Sequence, residues 1–218
     1  MLPTFAPSHM QHRFITIEGN IGAGKTTLAH LLAKRMNARL ILEEFADNPF
    51  LPKFYENPKQ YAFPLELFFM AERFKQLKDN LFKTDLFQSI TVSDYVFTKC
   101  LLFARINLPE EEFKLFQKLF DIMQQQLVFP DVIIYLHSSI GKLQRNIKKR
   151  NRSYEQKIPD SYLQSIQDTY TNYIKQHAIK TIFVEADNAD FLSNDKQLQA
   201  IIDVLDKDFT EQYYLELP

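Results

Sequence analysis

The sequence predicts a three-layer α/β sandwich in which a five-stranded parallel sheet is flanked by helices on both faces. Three observations predict it. Five β-rich runs alternate with helical stretches along 218 residues, the rhythm of a layered α/β fold. The centres of those runs, such as Ile15-Thr16-Ile17 and Val132-Ile133-Ile134-Tyr135-Leu136, are continuously apolar or β-branched, as in strands covered on both faces. The chain has only 4 glycines, and all but one of them, Gly19, Gly22 and Gly24, fall between the first run and the first helix.

The first strand is read over residues 13–18. Directly after it, Gly19-Asn20-Ile21-Gly22-Ala23-Gly24-Lys25-Thr26-Thr27 fits the spacing G-x-x-x-x-G-K-[ST]. That spacing has a mechanism: backbone N–H groups wrap a phosphate, the lysine neutralises it, and the hydroxyl holds Mg²⁺. From Thr26 onward Leu28, Leu31 and Leu32 share one helix side. Strand, glycine loop and helix N-terminus therefore follow one another, the setting that separates a phosphate cradle from a chance match in a turn. The fold class is that of a P-loop NTPase.

Strands two to five are read over residues 38–43, 88–94, 131–137 and 181–185. Ligands of such sheets bind at the carboxyl ends of the strands. The P-loop, the Glu43-Glu44 pair and Asp94 all fall there, on one rim. Side chains alternate along a strand, so one of Glu43 and Glu44 faces the site and the other faces solvent. Two helices carry aromatic stripes, one of Phe63, Leu67, Met70, Phe74, Leu77 and Leu81, the other of Phe113, Phe116, Phe120, Met123 and Leu127. Burial on the sheet explains them. So does a helix bundle between two subunits, because Leu65, Phe68, Phe69, Leu115, Leu119 and Ile122 add apolar surface off the stripes.

Residues 142–152 hold Lys142, Arg145, Lys148, Lys149, Arg150 and Arg152 and no acidic residue. Alone, such a run reads as a solvated helix end. After the fourth strand of a phosphate-binding sheet it reads as a basic lid, whose guanidinium forks suit phosphate oxygens.

Composition narrows the partners. A formal net charge of −1 supplies no global basic field, so nucleic acid is not an expected partner. No apolar run is long enough to span a membrane. The single cysteine, Cys100, excludes an internal disulfide and fits a reducing cytoplasm. Residues 1–10 read as a disordered leader or an expression remnant ending in Ser8-His9-Met10, and residues 11–218 as one domain.

Taken in order, the motifs resemble the deoxynucleoside kinase family, which includes deoxycytidine, deoxyguanosine and mitochondrial thymidine kinases and bacterial deoxyadenosine kinases. IEGNIGAGKTT is similar to that family's P-loop, and EEFADNPFLPKFYENPKQYAF to its segment bearing the general base and a sugar-contacting tyrosine. RNRSYEQKIPDSYL is similar to its lid and DNADF to its loop over the ATP adenine. The likeness runs from Arg13 to about Leu205. It implies ATP-dependent phosphorylation of the 5′-hydroxyl of a deoxynucleoside in nucleotide salvage, by a homodimer using Mg²⁺. By the same resemblance, Lys25 binds the donor phosphates and Thr26 and Asp94 hold Mg²⁺, Asp94 through water. Glu43, or Glu44 after a one-residue slip, is the general base. Tyr55 and Glu155 hold the sugar 3′-hydroxyl, Glu66 and Arg73 read the base, and Phe63 shapes its pocket. Arg150 and Arg152 contact phosphates, and Asp190 and Phe191 contact adenine.

Three departures stand out. Where the family carries Glu-Arg-Ser or Asp-Arg after the third strand, this chain has Asp94-Tyr95-Val96, so another cation must replace that arginine. Asn146 occupies an expected lid-arginine position, with Arg145 beside it. Glu66 stands where the family commonly has glutamine. An ionised Glu66 only accepts hydrogen bonds, which suits the N1–H and N2–H₂ donors of guanine; a protonated one imitates glutamine. The expectation is a lean toward purine deoxynucleosides. Two rivals share parts of this pattern. A nucleoside monophosphate kinase of the thymidylate kinase type needs cations for the acceptor phosphate, whereas Glu43, Glu44 and Asp47 are acidic. A non-catalytic nucleotide-binding module has no use for Lys25, Thr26 and Glu43 together.

Overall fold

Six parallel strands form the central layer among the described residues, 12–43, 48–81 and 88–218 of a computed structural model. They are β1 (Phe14–Gly19), β2 (Arg39–Ile41), β3 (Thr91–Ser93), β4 (Val132–His137), β5 (Thr181–Glu185) and β6 (Gln212–Glu216), in the order β2-β3-β1-β4-β5-β6. The chain leaves β1 toward one side of the sheet and returns to the other with β4. That reversal opens a crevice at the carboxyl end of β1, where ligands of such sheets bind.

The expected sheet had five strands; the sixth is β6. It lies at the edge beside β5, and its Gln-Tyr-Tyr-Leu-Glu sequence is half exposed, with Tyr214 66% accessible. A search for continuously apolar runs finds strands covered on both faces and passes over such an edge.

β4 shows why its run is apolar throughout. Val132, Ile134 and Leu136 join one core with Ile15, Ile17 and Leu28, while Ile133 and Tyr135 join another with Ile166, Tyr170 and Phe183. The first core is closed by α1 (Lys25–Met36) and α8 (Asp195–Leu205), the second by α7 (Asp160–Gln176). The aromatic stripes build a third core, formed mainly among helices. Here α2 (Leu51–Glu56), α3 (Pro58–Leu81), α4 (Lys99–Asn107) and α5 (Glu110–Gln124) pack around Phe54, Met70, Phe97, Phe113, Phe116 and Phe120. Phe97 and Phe120 stack with ring centroids 5.1 Å apart. On the outer side of α5, Leu115, Leu119 and Ile122 stay exposed at 53%, 37% and 62%.

The basic run forms α6 (Ile140–Arg150), started by Ser139, whose hydroxyl accepts from the Lys142 N–H. Asn151 ends it in the left-handed region at φ 57°, and a short 3-10 turn, Ser153–Glu155, leads into α7.

Candidate active site

The glycine loop is shaped by steric need. Gly19, Gly22 and Gly24 have φ of 148°, 83° and 93°, values side-chain-bearing residues rarely adopt. A Cβ on Gly19 would lie 2.7 Å from the Leu136 carbonyl oxygen, and one on Gly22 2.9 Å from that of Leu143. Gly24 sits at the N-cap of α1 with no side-chain cap, which leaves first-turn N–H groups for a ligand. Buried Asn20 braces the loop by donating to the Leu163 carbonyl at 2.7 Å, and its Oδ1 accepts from the Ile21 N–H. Ala23 is buried beneath the loop, and Thr27 is exposed on the first turn of α1. Asn146, at the position expected for arginine, ties the lid helix to the loop by donating to the Gly22 carbonyl at 2.8 Å. Lys25 folds back over the loop, donating to the Gly19 and Asn20 carbonyls at 2.9 Å each. Burial, and next the Lys99 ammonium, bring its pKa down to about 8.

From this loop a cleft, with about 830 Å³ of empty space counting the part open to solvent, runs toward α3 and the lid. At its centre Thr26 donates from Oγ1 to Asp94 at 2.6 Å, and the other Asp94 oxygen accepts the Glu43 N–H at 2.7 Å. Glu43 is held from two sides: Arg73 Nε donates to Oε1 at 2.8 Å and Lys99 Nζ to Oε2 at 2.6 Å. Burial alone would push the Glu43 carboxyl up, but the two cations outweigh it and hold Glu43 well below the usual carboxylate range. An anionic, hydrogen-bonded carboxylate beside a phosphate cradle is equipped to take a proton from an alcohol.

The far end of the cleft is narrower in chemistry. Glu66 and Arg73, two turns apart on α3, are 2% and 5% exposed and line its wall. Asn107 donates to Glu66 Oε1 at 2.7 Å. Burial pushes the Glu66 carboxyl up to about 7. Tyr55 also lines the cleft, with its ring stacked on Tyr154, and burial raises its phenol. The lid closes this side: Arg150 and Arg152 both pair with the buried Glu155 carboxylate, Arg152 at 3.2 Å.

Most expected site residues therefore converge on this cleft. Beyond the phosphate loop, residues 19–27, three do not line it. Phe63 packs among the helices of the third core, and Phe69 and Phe103 supply the aromatic walls instead. Phe191 is buried in the first core, and Asp190 accepts backbone N–H groups of Ser193 and Asn194 in the loop after β5. Glu44 and Asp47 lie outside the described residues. Tyr95, where an arginine was missing, turns away and donates from its hydroxyl to Gln76 on α3. A further cation in the cleft is Lys99, which sequence reading missed together with Asn107 and Tyr162. A signal existed: Lys99, Phe103 and Asn107 recur every fourth residue and so share one face of α4.

Residues 15–211 match the family model described as deoxynucleoside kinase. The chain is 37% identical over 196 residues to a deoxyguanosine kinase of Bacillus subtilis, covering 86% of this chain and 93% of that one. It is 29% identical over 201 residues to a deoxyadenosine/deoxycytidine kinase of the same organism, covering 88% and 91%. Among solved structures, a deoxyadenosine kinase from M. mycoides with bound dATP matches with a TM-score of 0.77 at 24% identity, over 90% of this chain and 100% of that one. That last likeness shows the fold.

Proposed function

This chain belongs to the deoxynucleoside kinase family, a family of phosphotransferases, and from that premise we propose that it moves the γ-phosphoryl group of ATP to the 5′-hydroxyl of a purine deoxynucleoside in nucleotide salvage. The observation that carries the reading is one cleft that joins the phosphate loop, the Glu43 carboxylate and the Glu66–Arg73 wall. Lys25 takes the donor phosphates. The alcohol oxygen attacks the γ-phosphorus while the bond to the β-phosphate oxygen breaks; ADP leaves and Glu43 receives the hydroxyl proton. Arg73 and Lys99 keep Glu43 anionic. Little charge builds on the attacking oxygen in a loose phosphoryl-transfer transition state, so a weak base is sufficient.

Lys99 fills the place of the missing arginine, reaching Glu43 while its field is felt by Lys25. Arg150 and Arg152 are the lid cations offered to phosphate, and Tyr55 with Glu155 takes the sugar 3′-hydroxyl. Thr26 and Asp94 present hard oxygens at the loop and fit Mg²⁺, which binds through one or two carboxylates and substrate phosphates. When bound, that ion neutralises charge on the β- and γ-phosphate oxygens. An adenine contact at Asp190 and Phe191 asks for their loop's backbone, because the Phe191 ring is in the core.

The purine lean is supported by the Bacillus subtilis deoxyguanosine kinase relative and by the acceptor-rich Glu66. Residues 11–218 are taken as one cytoplasmic domain. The unpartnered Leu115, Leu119 and Ile122 stripe on α5 supports a homodimer, which light scattering would check. Phosphorylation rates for the four deoxynucleosides, with ribonucleosides as controls, test the activity. Deoxyguanosine and deoxyadenosine should lead; a preference of about a hundredfold for thymidine would reject the purine reading.

A further inference from the structure

This inference rests on the reading of Glu66 as the group that faces the base. The two oxygens of Glu66 are not equivalent. Oε1 accepts from Asn107 at 2.7 Å, whereas Oε2 is buried with no hydrogen-bond partner. Asn107 thus pins one oxygen and leaves the other unpaired on a side chain that lines the cleft. A buried polar atom without a partner costs free energy until a ligand satisfies it. The Watson–Crick edges of the two purines differ at the atom such a group would meet. Adenine N1 carries no hydrogen and accepts; guanine N1–H donates.

We propose that the proton on Glu66 Oε2 selects the purine, the protonated form donating to adenine N1 and the ionised form accepting from guanine N1–H, so that substrate choice follows pH. The surroundings favour Glu66 as the titrating group. Facing it are Arg73 along α3, Lys99 and Cys100 from α4, Glu43 at the end of β2, Tyr55 from α2 and Tyr162 from α7. Burial raises the Cys100 thiol and the two phenols and keeps them neutral; the cations hold Glu43 ionised. Glu66 itself, raised by burial to about 7, changes charge in the neutral range. Glutamine at this position has no such proton to lose.

The test is the ratio of kcat/KM for deoxyguanosine to that for deoxyadenosine, measured from about pH 6 to about pH 8 in the unmodified enzyme and in Glu66→Gln. Titrations common to both substrates, that of Lys25 included, cancel in the ratio. The ratio should climb with pH, approaching about tenfold per unit, and deoxyinosine, which shares the N1–H, should follow deoxyguanosine. In Glu66→Gln, a nearly isosteric change, the ratio should be flat and displaced toward deoxyadenosine. A flat ratio in the unmodified enzyme, displaced by Glu66→Gln, overturns the proton switch but leaves Glu66 facing the base. A slope that persists in Glu66→Gln, or deoxyinosine tracking deoxyadenosine, overturns the switch as well. Selectivity untouched by Glu66→Gln at every pH overturns the base-facing reading itself.

Discussion

Replacing Glu43 with glutamine should damage this enzyme twice, by separable routes. The carboxylate sits between Arg73 Nε at 2.8 Å and Lys99 Nζ at 2.6 Å, with its side chain 14% exposed. An amide of the same shape leaves both buried cations facing a neutral group. Breaking a buried ion pair from one side costs about 3–5 kcal/mol, and the remaining amide oxygen places this case near the lower end. At about 2–4 °C per kcal/mol for a chain of this size, the melting midpoint should fall by about 10 °C. Removal of the proposed base should lower kcat by about a hundredfold to ten-thousandfold, with ATP affinity retained. The double variant Glu43→Gln, Lys99→Met separates the two effects. It removes one stranded cation, so its midpoint should lie above that of Glu43→Gln, while turnover stays low. The pH dependence of stability carries the same signature. The folded pKa of Glu43 lies below its ordinary value of 4.5, so its contribution is complete above that value and is lost as pH falls through the lowered one. Thermal melts and steady-state kinetics on the three proteins suffice. Undiminished turnover in Glu43→Gln would place the base elsewhere, and a double variant no more stable than the single would refute the ion cluster as the source of the loss.

Two further outcomes follow from the geometry. In the proposed role Lys25 holds phosphate as a cation, so kcat/KM for ATP should decline as pH rises through about 8; Lys99→Met removes a neighbouring cation and should move that limb to higher pH. An unmoved limb would mean that Lys99 does not act on Lys25. Gly22→Ala should cost more stability and ATP affinity than Gly24→Ala. Both positions have positive φ, worth about 1–2 kcal/mol of strain, but only Gly22 adds a contact of 2.9 Å with a carbonyl oxygen, while nothing lies within 4 Å of a Cβ on Gly24. Melting midpoints and calorimetric ATP titration rank the two, and equal losses would argue against the clash.

Much of the site was legible because its chemistry depends on local order. A phosphate cradle needs glycines, lysine and threonine at fixed spacing, and a parallel sheet delivers the ends of its strands to one rim. The positions of Glu43 and Asp94 beside the loop are therefore legible in the sequence. Lys99 and Asn107 belong to no contiguous motif. They matter because α4 crosses the cleft and turns one face toward α3, and that face is visible in the sequence only after the packing is known. Phe63 shows the converse: its stripe is apolar and packs in the third core, but the side of α3 turned to the cleft is that of Glu66, Phe69 and Arg73. β6 escaped because a half-exposed edge strand lacks the two-sided apolar run of its neighbours.

By itself, then, the sequence determined the layered architecture, the phosphate loop and the strand-end carboxylates, because periodicity and backbone sterics act over a few neighbouring positions; Tyr55, Glu66, Arg73 and Glu155 came from the resemblance of its motifs to a family. Tertiary structure alone decided how their charges are shared. Arg73 and Lys99 come from different helices to grip one carboxylate, and Asn107 meets Glu66 across 41 residues of chain. Proton affinity is set by burial and by charges within a few ångströms, and those neighbours are chosen by packing rather than by spacing along the chain.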